Sequence, residues 1–422
     1  MNRPLFSEIN PLYASGKNAP NVFQFRIRMD APVDGEALAG AAEAAVKRYP
    51  YFCVELKKEE GQYVFADNLR PVTVTHTSDP VALNTKASNF HMLAFAWTDD
   101  WIFVEVAHAL TDGTGAYALL RTLLYEYASR RYEDRPACEG IRLLGDSIPD
   151  EEWDDPALSV PDTPAPAGGA ILPGLNLIEA SKLDKDRVRT VFSVTIKESE
   201  LMHLVRENDS SPGTIIALFL SRAVASLHPD EEKPIRISLT VNQRAALKVP
   251  LAHQSLVGGA WLEYKPAMRF WPLDRQATAY RGMVFVQSRD ESVLAGLAAI
   301  NRNTRALLSL KTDRERAAAA AENADSLREL LTATVSYVGR AGFGGAEAHI
   351  RDFHLWAIPM YESLLIEISA VSGRFTLDIC QNFSSPVYVD ALLKQFEENG
   401  IRFTSKAPVS LRLPDLQLPW DT

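Results

Sequence analysis

In the run Val104 to Gly113, an alternating apolar segment ends at His108, and Asp112 and Gly113 follow within one short turn. An imidazole has an unperturbed pKa of about 6.5, so near neutral pH it can take a proton from a hydroxyl or amine and return it. His108 is therefore the candidate general base. Asp112 stands where a helix would open, a position at which an aspartate is stabilised by unpaired backbone N–H groups. That favours an architectural role over proton exchange. Gly113 permits a close or unusual backbone path beside it.

Other chemistries lack the residues they need. His349, Asp352 and His354 lie close in sequence but not at the spacing of a helical metal-binding pair, so no metal is expected. Gly258 and Gly259 belong to neither a phosphate-cradling loop nor a dinucleotide fingerprint. No G-x-S-x-G elbow occurs, and Cys53, Cys138 and Cys380 are widely spaced with no nucleophile context. Direct transfer between two substrates remains.

The elements that position His108 follow from periodicity. Phe23, Phe25, Ile27 and Met29 alternate with Gln24, Arg26 and Arg28, the two-residue period of a half-buried strand. Asp34 then caps a helix carrying Leu38, Ala41, Ala42, Ala45 and Val46, which Pro50 stops, and a strand is expected at Tyr51 to Leu56. His91 to Trp97 and Trp101 to Ala107 read as a hairpin turning at Thr98, Asp99 and Asp100. Its second strand delivers His108. Beyond Gly113, Ala116, Leu119, Leu120, Leu123, Leu124 and Tyr127 form a helical stripe.

The chain turns acidic and proline-rich from about Asp134 to Asp184, which sets the expected division: a lobe over 1–165, a linker or crossover over 166–185 and a second lobe over 186–422. Trp153 and the apolar ILPGLNLI run imply that parts of the linker dock on the body. The second lobe predicts strands at 191–196, 235–242, 332–339, 364–370 and 374–381, a buried helix at 214–227, two or three helices within 275–331, and a last helix near 386–399 closed by Gly400. Strands and helices in both halves give an α/β (α+β layered) class.

A formal charge of -10 argues against nucleic-acid binding, which needs a basic field to replace counterions. No run of 18 apolar residues is present and the N-terminus lacks a signal-peptide pattern, so no membrane span and a cytoplasmic location are expected.

His108-Ala109-Leu110-Thr111-Asp112-Gly113 resembles the HxxxDG signature shared by chloramphenicol acetyltransferase, nonribosomal-peptide condensation domains, plant BAHD acyltransferases and alcohol-acetyltransferase-like proteins. Other stretches fall in the order such proteins show: RYPYF at 48–52, SPGTIIALFLSRAV at 211–224, SLTVNQRAAL at 238–247 and SYVGRAGFGG at 336–345. The resemblance implies two chloramphenicol-acetyltransferase-like lobes with an active-site tunnel between them. It also implies transfer of an acyl group from acyl-CoA or a carrier-protein thioester to a hydroxyl or amine of a small-molecule acceptor. A carrier protein is then a possible partner, and no cofactor is tightly bound. By the same resemblance His108 is the general base, Asp112 an anchor, Arg244 its ion-pair partner, and Gly113 and Asn242 supports of the site. Ser336 is the candidate oxyanion donor, because Tyr337 stands where the family carries an asparagine. Ala107 replaces the first histidine of condensation domains, and the plant-type DFGWG segment is absent. These departures bring the chain closer to single-histidine acyltransferases and leave open a non-catalytic binding protein on the same scaffold.

Overall fold

The computed structural model describes residues 3–16, 20–59, 62–133, 135–163, 171–181 and 188–420. The alternation at Val22–Met29 does form a strand, and it lies inside a five-stranded sheet ordered Ile350–Ala357, Val22–Met29, Trp101–Ala107, Leu93–Thr98, Val74–His76. Only the last pair is parallel. Phe23, Phe25 and Ile27 point to one face. There they pack with Leu38, Ala41 and Ala45 of the Gly35–Arg48 helix and Leu119, Leu120 and Leu123 of the Gly113–Arg131 helix. Each of these leucines, isoleucines and phenylalanines contributes about 1.5–3 kcal/mol by leaving water. The Asp34 carboxylate accepts from the N–H groups of Glu36 and Ala37, as an N-cap should. The hairpin turns on two residues, with Thr98 paired to Trp101 and Asp99 in the left-handed region at φ 46°.

The second sheet has eight strands among the described residues. Its order is Val257–Tyr264, Ile235–Asn242, Ala333–Arg340, Leu364–Val371, Arg374–Gln381, Thr190–Lys197, Phe403–Ser405, and Val409–Ser410 also pairs with Thr190–Lys197. Its Ile366 and Ile368 side is sealed by the Pro212–Leu227 and Val387–Glu398 helices through Phe219, Leu392 and Phe396. Gly400, at φ 73°, lets the chain leave the latter helix. The alanine-rich region resolves into three helices, Leu273–Gln287, Asp290–Leu308 and Asp313–Leu330. A small sheet of Arg3–Pro4, Gln62–Asp67 and Val54–Glu59 flanks the first lobe. Among the described residues no single helix is long and apolar enough to cross a membrane.

Two expectations are corrected. Tyr51 does not begin a strand: Pro50–Phe52 is a 3-10 turn, and the strand starts at Val54, because Pro50 lacks the N–H a ladder requires. The lobes also do not follow the chain. Ile350–Ala357, well inside the segment assigned to the second lobe, pairs antiparallel with Val22–Met29 and completes the first lobe's sheet. The borders drawn at 165 and 186 fall on 164–170 and 182–187, outside the described residues. The acidic stretch ahead of them is anchored. Glu152, with no solvent exposure, takes both terminal nitrogens of Arg48 at 3.0 and 2.9 Å, the Tyr51 hydroxyl at 2.7 Å and Arg142 at 2.6 Å. Leu175 and Leu177 of the apolar run are buried in the second core.

Candidate active site

His108 follows the last residue of the Trp101–Ala107 strand and is fixed there by its own backbone, whose N–H donates to the Asn21 carbonyl at 2.8 Å. Its ring meets Phe23 edge to face, with centroids 5.3 Å apart at 80°. The imidazole also hydrogen-bonds its own main-chain carbonyl. Surrounding protein desolvates the ring and pulls its pKa below the ordinary histidine value, an effect larger than the opposing pull of that hydrogen bond and of Asp112. The residue nevertheless keeps partial solvent contact. The lowered pKa keeps the ring uncharged near neutrality.

Asp112 does not approach the reacting position as a second base. One of its oxygens accepts from the Gly115 N–H at 3.0 Å, capping the Gly113–Arg131 helix, and the other accepts from the Leu256 N–H at 2.8 Å. Arg244 grips both oxygens in a forked pair at 2.8 and 2.9 Å. Both side chains are almost fully buried, at 3% and 5% exposed. The remaining Arg244 donors go to the carbonyls of Ala252 and Gln254, each at 2.8 Å, and to the Asn242 amide oxygen at 3.4 Å. Asn242 accepts the Arg244 backbone N–H at 3.0 Å and holds its amide 3.4 Å from the Thr114 hydroxyl. The turn after His108 is thus bolted to the second lobe.

Gly113 completes that seam. A Cβ there would sit 2.7 Å from Val338 Cγ2, so only glycine lets the helix start lie against the Ala333–Arg340 strand. Gly113 is absent from the residues with left-handed backbone, so its value is close approach and not an unusual turn. Thr111 fastens the same turn by donating to the His253 carbonyl at 2.6 Å.

Ser336 lies two residues before Val338 and shares its face of the strand, toward the motif turn. Its hydroxyl is hydrogen-bonded to Glu367, its cross-strand neighbour. Burial pushes the Glu367 carboxyl up to about 7 against the opposing effect of Ser336. Tyr337 points the other way, into the helix-covered core beside Phe375, and so cannot substitute for an asparagine at the seam. His108, Asp112, Gly113, Asn242 and Arg244 meet at one junction, and Ser336 faces it with its hydroxyl engaged. Sequence reasoning missed Asn21, Leu256 and Glu367. The first two act through backbone atoms, which leave no residue-type signal, and Glu367 reads as an ordinary polar position in a strand.

No protein-family model matches the sequence, and comparison with curated proteins finds no significant relative. Solved structures do match along nearly the whole chain. TRI101 of F. sporotrichioides, complexed with coenzyme A and T-2, aligns over 96% of this chain and 99% of its own at TM-score 0.61 and 13% identity. The condensation domain of the monacolin K polyketide synthase MokA aligns over 94% and 96% at TM-score 0.59 and 13% identity. Polyketide synthase associated protein 5 of Mycobacterium tuberculosis aligns over 93% and 96% at TM-score 0.57 and 12% identity. With its two mixed sheets and their layered helices, the chain has the chloramphenicol-acetyltransferase-like fold that condensation domains and TRI101 share.

Proposed function

We propose that this protein transfers an acyl group from acyl-CoA or a carrier-protein thioester to the hydroxyl or amine of a small acceptor, with His108 as general base. The observation that carries the reading is the placement of that imidazole: at the end of a buried strand, edge-on to Phe23, still in contact with solvent, and followed by a turn that the Asp112–Arg244 pair pins to the second lobe. Nε2 takes the proton as the acceptor oxygen or nitrogen bonds to the thioester carbonyl carbon. The tetrahedral intermediate then expels the thiolate, and the imidazolium returns the proton to that sulfur. No acyl-enzyme is needed. Asp112 and Arg244 act as positioning residues, holding the turn that follows His108 against the second lobe. Donor and acceptor approach through a channel between the lobes. The bound coenzyme A in TRI101 supports a coenzyme A donor.

The test is thiol release from a panel of short-chain acyl-CoAs with alcohol and amine acceptors, comparing wild type with His108→Ala. A loss of about 10² to 10⁴-fold in kcat/KM is expected on removing a general base. Equal turnover in the two proteins overturns the reading. A second reading, a binding protein without catalysis, draws on the engagement of Ser336 by Glu367, which removes a ready oxyanion donor. Binding of acyl-CoA without thiol release in wild type would favour it.

A further inference from the structure

One cavity of about 320 Å³ lies where five parts of the chain converge: Pro20 just before Val22–Met29, Pro80 and Ala82, Arg189 just before Thr190–Lys197, Ile358 after the bridging strand, and Arg412 and Asp415 of the C-terminal segment. Its inner wall belongs to the structure that holds the candidate base. Pro20 immediately precedes Asn21, whose carbonyl accepts the His108 N–H at 2.8 Å. Ile358 immediately follows Ala357, which pairs with Phe23, the ring touching His108.

Arg189 is half-buried; its carbonyl accepts the Leu411 N–H at 2.9 Å, its Nε donates to the neutral Asn382 amide oxygen at 3.3 Å, and among the described residues no carboxylate pairs with its guanidinium. Burial lowers its pKa with no acidic neighbour offsetting the effect. A desolvated guanidinium with its forked end uncommitted suits a planar carboxylate. Arg412 adds a second cation from the rim, only 4.0 Å from the exposed Asp79. Asp415 on the same wall and Asp79 at the rim offset Arg412, so the one guanidinium left without a carboxylate, Arg189, favours a single negative charge over a doubly charged phosphate. The volume falls at the small end of ligand pockets and suits a compact molecule better than a whole coenzyme A.

We propose that this cavity is the acceptor subsite and that the acceptor is a small hydroxy or amino acid, its carboxylate gripped by Arg189 with Arg412 assisting. The role as acceptor site rests on the acyltransferase reading above; the recognition of a monocarboxylate does not. The experiment uses two readouts on the full chain. Calorimetric titration with 3-phenyllactate and its methyl ester measures binding without chemistry, and thiol release from acetyl-CoA with the same pair measures transfer. Wild type is expected to bind the acid at least 10-fold more tightly than the ester and to prefer it similarly in kcat/KM, through KM. Arg189→Gln should abolish both preferences, Arg189→Lys should restore them in part, and Arg412→Gln, at an exposed position, should reduce them without disturbing the fold. Acid-selective binding that depends on Arg189, with no thiol release, removes the acyltransferase reading and leaves the carboxylate site standing. Absence of acid-selective binding in folded wild type, or equal selectivity in Arg189→Gln, overturns the site whatever the turnover.

Discussion

Replacing Arg244 by alanine should destabilise the protein by about 3–5 kcal/mol, the cost of leaving one partner of a buried ion pair without the other. The structure places this variant in that regime. Asp112 would keep two backbone donors, Gly115 and Leu256, but lose both guanidinium bonds, and the carbonyls of Ala252 and Gln254 would lose their side-chain donor. Solvent could not replace these partners without opening the seam, since the pair is nearly inaccessible. For a chain of 422 residues an unfolding entropy of roughly 2.1 cal/mol/K per residue converts the loss into a Tm decrease of about 3–6 °C when both lobes unfold together. The assay is calorimetry on wild type, Arg244→Ala, Asp112→Ala and the double variant. The double variant no longer buries a lone charge, so its loss should fall short of the sum of the singles by about 2 kcal/mol or more. Additive losses, or a Tm for Arg244→Ala within about 1 °C of wild type, would refute the argument that this pair locks the turn.

Gly113→Ala forces a methyl against Val338 and should cost about 1–3 kcal/mol in urea denaturation, with Val338→Ala restoring much of it; no rescue would mean that the close approach is not what selects glycine. Glu367 has a folded-state pKa raised to about 7, so its contribution to stability is full below its unfolded value near 4.5 and is lost as pH rises through about 7. Glu367→Gln should therefore flatten the decline in stability between pH 5 and 8, and an unchanged slope would contradict the assignment. The lowered pKa of His108 predicts that kcat/KM stays level from neutral pH to below about 6.5 and falls only as the imidazole protonates; a fall centred above 7 would point to another base.

The surroundings of His108 were legible because they obey short periods. The alternation at Phe23 to Met29, the cap at Asp34 and the leucine stripe after Gly113 each signal one element locally, and each element forms. What stayed hidden is long-range or carried by backbone. Glu152 reads as one acid in an acidic run, and its partner Arg48 lies 104 residues away. Ile350–Ala357 gives no strand signal in sequence, because IRDFHLWA is buried over most of its length on both faces and carries no clean alternation. Its polar residues have specific partners: His354 donates from Nδ1 to the Asp378 carboxylate at 2.8 Å, and Asp378 also accepts from the Ser193 hydroxyl at 2.6 Å. The Glu198–Glu207 helix was also unannounced, since Lys197 at its N-cap makes no side-chain capping bond.

The bridging strand carries a consequence for biosynthesis. Val22–Met29 emerges from the ribosome more than three hundred residues before the segment that will occupy its outer side, because its neighbour there is Ile350–Ala357. Until translation passes that point, a long apolar ribbon is left with an open row of amide and carbonyl groups, the kind of template on which nascent chains mispair. A fragment ending at 165 should for that reason be an aggregating species, and co-expression of a piece containing residues 350–357 should restore its solubility.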